Sequence, residues 1–189
     1  MKISIKILGT IALLVVALAV AVTPAVAQLN SNTGIVTINA NLPEALTVNL
    51  TNSTITIPLL PNTAANQSTA PAAGTAIQTA WVLTPGRTTV KVFVYSAVAN
   101  PLSNGTDTIP ATKISISNTG QAGAYNPLAT GAGPFGNAGL QIGATTNITG
   151  ANRASSRTDT IFFQIDTTFN AQLSAGLYTG TLSVQAQAL

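Results

Sequence analysis

The sequence predicts an all-β protein, an antiparallel and immunoglobulin-like β-sandwich of about seven to nine strands. Apolar and polar residues alternate in many short runs, and residues typical of turns separate these runs. No segment after residue 27 shows sustained apolar spacing of i, i+3 and i+4. Because alternate side chains of a strand point to opposite faces, this pattern indicates strands with one buried face.

The first 27 residues are predicted to be a secretory signal peptide. Lys2 and Lys6 precede an apolar run over residues 7–22, and Ala25-Val26-Ala27 forms a small-residue cleavage site. A retained membrane anchor is the alternative, but the run is short for a span and Pro24 follows it closely. We therefore expect a single domain over residues 28–189. We expect it to be secreted or at the cell surface, by way of the periplasm in a Gram-negative bacterium.

The alternating runs after the signal are each predicted to be a strand. They lie at residues 36–42, 46–50, 54–57, 77–83, 88–98, 113–117, 160–165 and 178–188. Thr84-Pro85-Gly86-Arg87 places Pro and Gly where a type II turn needs them, which predicts a hairpin between the strands of Trp81 and Val90. Trp81 shares its face with Ile77 and Leu83, so we expect it in the core rather than exposed as a sugar-stacking platform.

Two segments are predicted to be loops, at residues 61–75 and 120–139. The second is rich in Gly, Ala and Asn, carries Tyr125 and Phe135, and is long for a plain connection. It is either a surface-binding loop with both rings exposed or a loop that is flexible or packs on itself. The sequence leaves both readings open.

The composition argues against catalysis. There are no His and no Cys residues, so the commonest general base, the thiol nucleophile and the usual zinc ligands are absent. Only four acidic residues exist, and no short loop collects them as a calcium site or a glycosidase pair would require. The few Lys and Arg residues form no cluster for phosphate contacts. We expect no enzyme activity, no metal, no cofactor and no nucleic-acid partner.

The two ends of the secreted chain carry a family resemblance. Near the start, Gly34-Ile35-Val36-Thr37-Ile38-Asn39-Ala40-Asn41-Leu42-Pro43 alternates up to a proline. The last strand reads Ala175-Gly176-Leu177-Tyr178-Thr179-Gly180-Thr181-Leu182-Ser183-Val184. This combination resembles bacterial fimbrial subunits of the chaperone–usher type, above all the cysteine-free colonisation-factor (alpha) class. It is also similar to spore-coat-U-like secreted domains, although those usually contain cysteines. The match covers about 25 residues at the start and about 15 at the end.

The resemblance implies self-association into a filament or coat by strand complementation, in which the N-terminal strand of one subunit fills a groove in the next. The donor strand would be residues 34–42, with Val36, Ile38, Ala40 and Leu42 as the groove-filling side chains. A periplasmic chaperone and an outer-membrane usher would be the implied partners. The residues themselves allow the strand to pair within its own domain as well. The alternative function is a monomeric adhesin module that binds carbohydrate or a surface through residues 120–139.

Overall fold

The computed structural model describes residues 31–67 and 74–189, so the predicted signal peptide lies outside the described residues. The chain divides into two units, which meet between Asn41 and Leu42. In the N-terminal unit, residues 31–41 are exposed and form no strand. Residues 36–42, which were predicted to be a strand, therefore do not form one. An alternating segment becomes one only when a neighbour takes up its backbone hydrogen bonds.

The second unit is all-β and antiparallel, which confirms the predicted fold class. Its described part has seven strands of four or more residues and six of two residues. The strands are β1 (Ala45–Thr51), β2 (Asn66–Gln67), β3 (Thr75–Val82), β4 (Thr89–Ser96), β5 (Leu102–Ser103), β6 (Thr108–Ile109), β7 (Ile114–Ser117), β8 (Asn126–Pro127), β9 (Ala129–Thr130), β10 (Ala138–Asn147), β11 (Ala154–Ile165), β12 (Thr179–Gly180) and β13 (Ser183–Ala188). One 3-10 turn spans Ala111–Lys113. Within the described residues, no helix could cross a membrane.

Two sheets form the layers of the sandwich. The first has the order β1-β3-β11-β7-β8, with β2 also pairing β11, and the second has the order β13-β4-β10-β9. A small third sheet has the order β12-β5-β6. The core lies between the two layers, where Ile77 and Ile161 of the first sheet share one apolar cluster with Val92 and Val94 of the second.

A smaller apolar cluster surrounds Trp81, which is buried as expected beside Leu83 and Val90. The Trp81 indole nitrogen donates to the carbonyl of Asn152 at 2.8 Å. A buried Trp needs such a partner for its N–H group. The ring therefore belongs to the core and is not exposed for stacking on a ligand.

The prediction of a type II hairpin at Thr84–Arg87 is wrong. A turn forms there, since the amide of Arg87 donates to the carbonyl of Thr84 at 3.2 Å. Gly86 does not take the positive φ that a type II turn requires. The turn joins β3 of one sheet to β4 of the other, so it links the two layers instead of pairing its flanking strands.

The predicted loop at residues 120–139 packs against the sandwich. It contributes β8 to the first sheet and β9 to the second, so the chain crosses between the layers at this side. Leu128, between the two short strands, is fully buried in the core cluster. This segment therefore closes part of one side of the sandwich.

Candidate functional site: a groove between the sheets

An apolar groove of about 190 Å³ opens between the two layers on the side away from β8 and β9. Both sheets contribute to it, with Val94 and Val184 on one wall and Ile114 and Ile161 on the other. It is lined by Leu50, Ser53, Ile55, Ile57, Leu59, Thr75, Val94, Leu102, Ile114, Ile161, Phe163, Ile165, Tyr178, Gly180, Thr181, Leu182 and Val184. No charged side chain is among these described residues, so the groove favours an apolar, uncharged occupant.

One border of the groove is β13, the terminal strand of its sheet. It pairs with β4 along one edge, from Ser183 opposite Tyr95 to Ala188 opposite Val90. Its other edge has no strand partner among the described residues. Val184 and Ala186 are half-buried, whereas Ser183 and Gln185 are exposed. This edge therefore offers unpaired backbone groups beside an apolar face.

The segment of residues 53–59, here called the strap, also borders the groove. It alternates as predicted: Ile55, Ile57 and Leu59 are half-buried and line the groove, while Thr54, Thr56 and Pro58 are exposed. No backbone–backbone hydrogen bond within the described chain involves the strap, and it belongs to no sheet. The strand predicted at residues 54–57 therefore has the expected side-chain pattern but no ladder.

Hydrogen bonds around Asn66 fix the chain just beyond the strap. The Asn66 side chain accepts from the amide of Leu60 at 2.7 Å and donates to the carbonyls of Thr63 and Ile165 at 3.0 and 3.1 Å. The Thr167 hydroxyl donates to the carbonyl of Leu60 at 2.7 Å. Asn66 and Thr167 are both buried, so this clamp ties the end of the strap to the end of β11.

Asparagines with left-handed backbone stand on both sides of the strap. The φ angle is 61° at Asn52 and 49° at Asn62, and these are the two non-glycine residues with positive φ in the described chain. Asn tolerates this region better than most residues do. Each asparagine adopts a left-handed backbone conformation that redirects the chain, so the strap is set apart from β1 and from the Asn66 clamp.

Gly180 explains one position of the C-terminal motif. A Cβ atom built there would lie 1.8 Å from the carbonyl oxygen of Pro101, so only glycine fits. The close approach lets β12 pair with β5, through Gly180 opposite Leu102. Tyr178, two residues earlier, donates its hydroxyl proton to the carbonyl of Ser174 at 3.0 Å. Together these contacts hold the approach to β13 beside the groove.

The predicted donor residues are exposed. Val36 and Ile38 have 83% and 85% of their surface exposed, Leu42 has 77%, and Ala40 is also exposed. Single exposed apolar residues are ordinary, but a row of large ones is not. The segment therefore presents an apolar row to solvent.

Tyr125 and Phe135 lie apart from the groove lining. Phe135 is half-buried against Phe93 and Tyr95, with ring centroids 5.7 and 5.6 Å away. Tyr125 is also half-buried, and burial raises the pKa of its hydroxyl. Phe135 therefore packs on two aromatic side chains of β4, and its aromatic contacts among the described residues do not include Tyr125.

The four carboxylates are engaged at four different places. Glu44 binds Arg87 at 3.0 Å, Asp159 binds Arg157 at 2.8 Å and Asp166 binds Lys113 at 2.9 Å. Asp107 accepts from the amide of Ser174 at 2.7 Å and from its hydroxyl. Within the described ranges, no three acidic side chains come together where a metal ion could bind.

These partners lower the pKa of several carboxyls. Hydrogen bonds from Arg87 and Thr84 lower the pKa of Glu44 to about 2. Hydrogen bonds from Ser174 lower the pKa of Asp107. Burial raises the pKa of Asp166, but hydrogen bonds from Thr168 and Lys113 outweigh it and leave that pKa below its ordinary value. None of the lowered values is suited to a general acid at neutral pH.

The chain matches no family model, no curated protein and no solved structure.

Proposed function

We propose that this chain is a non-enzymatic, secreted structural subunit of the pilin or surface-coat kind, which assembles by β-strand complementation. The observation that carries the proposal is the groove between β13 and the strap. It is apolar and uncharged, and neither the outer edge of β13 nor the strap has a strand partner among the described residues. A strand laid between these borders could form a ladder on both sides.

The occupant we propose is residues 34–42 of a second copy. That segment alternates over the length of a strand, and Val36, Ile38, Ala40 and Leu42 would all face into the groove. Burying the larger of these side chains contributes about 1.5–3 kcal/mol each. The segment is uncharged, as the groove is. Each subunit would give one strand and receive one, which builds a head-to-tail chain.

Assembly would also make up for the missing disulfides. The chain has no cysteine, whereas many small secreted domains depend on disulfides for stability. A complementing strand would cover the groove and pair the backbone of β13 and the strap. Export through a periplasm, with a chaperone and an outer-membrane usher as partners, fits this proposal and is part of it.

The test compares two faces of the proposed donor strand in the exported, purified chain. The wild-type chain is expected to give a ladder of SDS-resistant oligomers that collapses on heating. Ile38→Asp should abolish the ladder, because it places a charge in an apolar groove. Asn39→Asp is the matched control, since the neighbouring side chain would point away from the groove, and it should keep the ladder.

A complementary variant examines the groove itself. Val184→Asp should block acceptance of a strand but leave donation intact, so mixing it with Ile38→Asp should give dimers and no longer species. A wild-type chain that stays monomeric at high concentration would contradict the proposal. So would an Ile38→Asp variant that assembles as well as the Asn39→Asp control.

A further inference from the structure

The edge strands on the two sides of the sandwich differ in length and in how their backbone is paired. On the groove side, the outer edge of β13, six residues long, has no strand partner in the part of the chain that the structure describes. On the other side, β8 and β9 have two residues each, and β8 contains Pro127, which has no amide proton to donate. β9 covers only Ala138 and Gly139 of β10, so within residues 31–67 and 74–189 no strand pairs with the rest of that edge.

A bulge interrupts β10 within this edge. Its register against β4 jumps between Ile142 and Thr146, so residues 143–145 have no partner on β4. Gly143 takes a φ of 61°, and a Cβ atom built there would lie 2.6 Å from a carboxylate oxygen of Asp159. Glycine is therefore required at the bulge, and a bulge turns an edge away from regular pairing.

The backbone carbonyls of the bulge also accept hydrogen bonds from side chains. Arg157 donates to the carbonyl of Ile142 at 3.2 Å, to the carbonyl of Ala144 and to the hydroxyl of Thr146 at 2.9 Å. Gln141 donates to the carbonyl of Gly143 at 3.4 Å. Three successive carbonyls, those of residues 142–144, thus accept hydrogen bonds from side chains. We call this part of β10 the capped edge.

Arg157 reaches the capped edge from the opposite layer of the sandwich. It lies on β11, and Asp159, two residues along the same strand face, holds its guanidinium at 2.8 Å. Both side chains are only 16% exposed. A planar guanidinium can serve several acceptors at once, which a lysine ammonium on a flexible stem does less well. The charge of Asp159 therefore favours a guanidinium position beside the capped edge.

We infer that Arg157, supported by Gln141, keeps the edge of β10 from accepting a strand. Each molecule then accepts one strand, at the groove between β13 and the strap, and the assembly is an unbranched chain. This inference rests on the proposed function, because it concerns how many strands a subunit receives. Arg157 is a specificity-determining residue here: it selects the accepting edge and contributes nothing to the groove itself.

The experiment counts strands bound per chain by native mass spectrometry. The receiving chain is the exported protein with Ile38→Asp, which cannot donate, and the probe is a synthetic peptide of residues 34–42. With Arg157 intact, one peptide is expected per chain. Arg157→Gln combined with Asp159→Asn removes the cap without leaving a buried charge, and two peptides per chain are expected.

Two further variants keep the test decisive. Arg157→Lys retains the pairing with Asp159 but cannot hold two separated carbonyls as a guanidinium does, so a second peptide should bind to it as well. Arg153→Gln, just before β11 and outside the capped edge, should bind one peptide. If every folded variant binds one peptide, the inference is overturned. If the chain with Arg157 intact binds none, it is the proposed function that fails.

Discussion

Single residues decide where this chain has strand partners and where it does not. In the sequence, Asn66 is an ordinary polar residue in a predicted loop. In the structure it is buried, and its side-chain oxygen and nitrogen both form hydrogen bonds, to the amide of Leu60 and the carbonyl of Ile165. Gly143 and Gly180 are fixed by neighbouring atoms on other strands. Sequence reasoning missed these roles because each depends on contacts with residues far away along the chain.

At this scale we predict that Asn66→Ala destabilises the fold. The change leaves the amide of Leu60 and the carbonyls of Thr63 and Ile165 without their side-chain partner. The carbonyl of Thr63 keeps its hydrogen bond from the amide of Thr167 at 2.9 Å, so it is not left unpaired. Losing the remaining side-chain hydrogen bonds should cost about 1–3 kcal/mol in urea unfolding followed by circular dichroism.

Asn118→Ala is the control for that change, because Asn118 is exposed in a turn. Its effect should stay within about 0.5 kcal/mol. Equal unfolding free energies for the two variants would show that the clamp at the end of the strap is not needed for the fold.

At the scale of elements, the alternation of apolar and polar residues predicted strands correctly where the strand is regular. It correctly placed β1, β3, β4 and β7. It found only the second half of β11, because the first half, residues 154–159, is mostly polar. The single strand predicted at residues 178–188 is divided into β12 and β13. The alternation missed β10, where Gly139, Gly143 and the bulge interrupt the period of two. The strap shows the converse, since the side-chain pattern was predicted correctly but no periodicity reveals whether a backbone is paired.

The strap yields a prediction of its own. Its amides donate to no backbone carbonyl of the described residues, so in a chain that cannot assemble they should exchange with solvent almost freely. In the assembled protein, a strand laid against the strap should slow their exchange by about 100-fold or more. Hydrogen–deuterium exchange with mass spectrometry compares wild-type oligomers with the Ile38→Asp monomer.

Strand β3 is the internal reference for that comparison, because it is paired on both sides, to β1 and β11. Its amides should be equally protected in both samples. Strap amides that exchange at the same rate in oligomer and monomer would show that the strap takes no part in assembly.

For the whole molecule, stability and assembly should be linked. The groove exists only in the folded protein, so a strand can bind to the folded form and not to the unfolded one. Binding of a strand should therefore stabilise the folded form by mass action. The Tm of the wild-type chain should therefore rise with protein concentration, whereas that of Ile38→Asp should not. Calorimetry over a 100-fold concentration range measures this, and an identical Tm throughout would refute the linkage.

The sandwich as a whole was predictable because strand alternation and turn residues agree along most of the chain. Of the groove and its proposed occupant, only the occupant could be predicted from the sequence. The segment at residues 34–42 is visible in the sequence as an apolar row. The groove depends on β13, the strap and β11 coming together, and no local pattern encodes that meeting.

The absence of charge in the groove lining has a consequence for conditions. Dissolved ions screen interactions between charges, and here there are none to screen in the lining. The fit of an occupant depends instead on shape and on the release of water from apolar surface. That driving force weakens on cooling. Concentrated salt would therefore not weaken the binding of a strand in this groove, whereas cooling would weaken it.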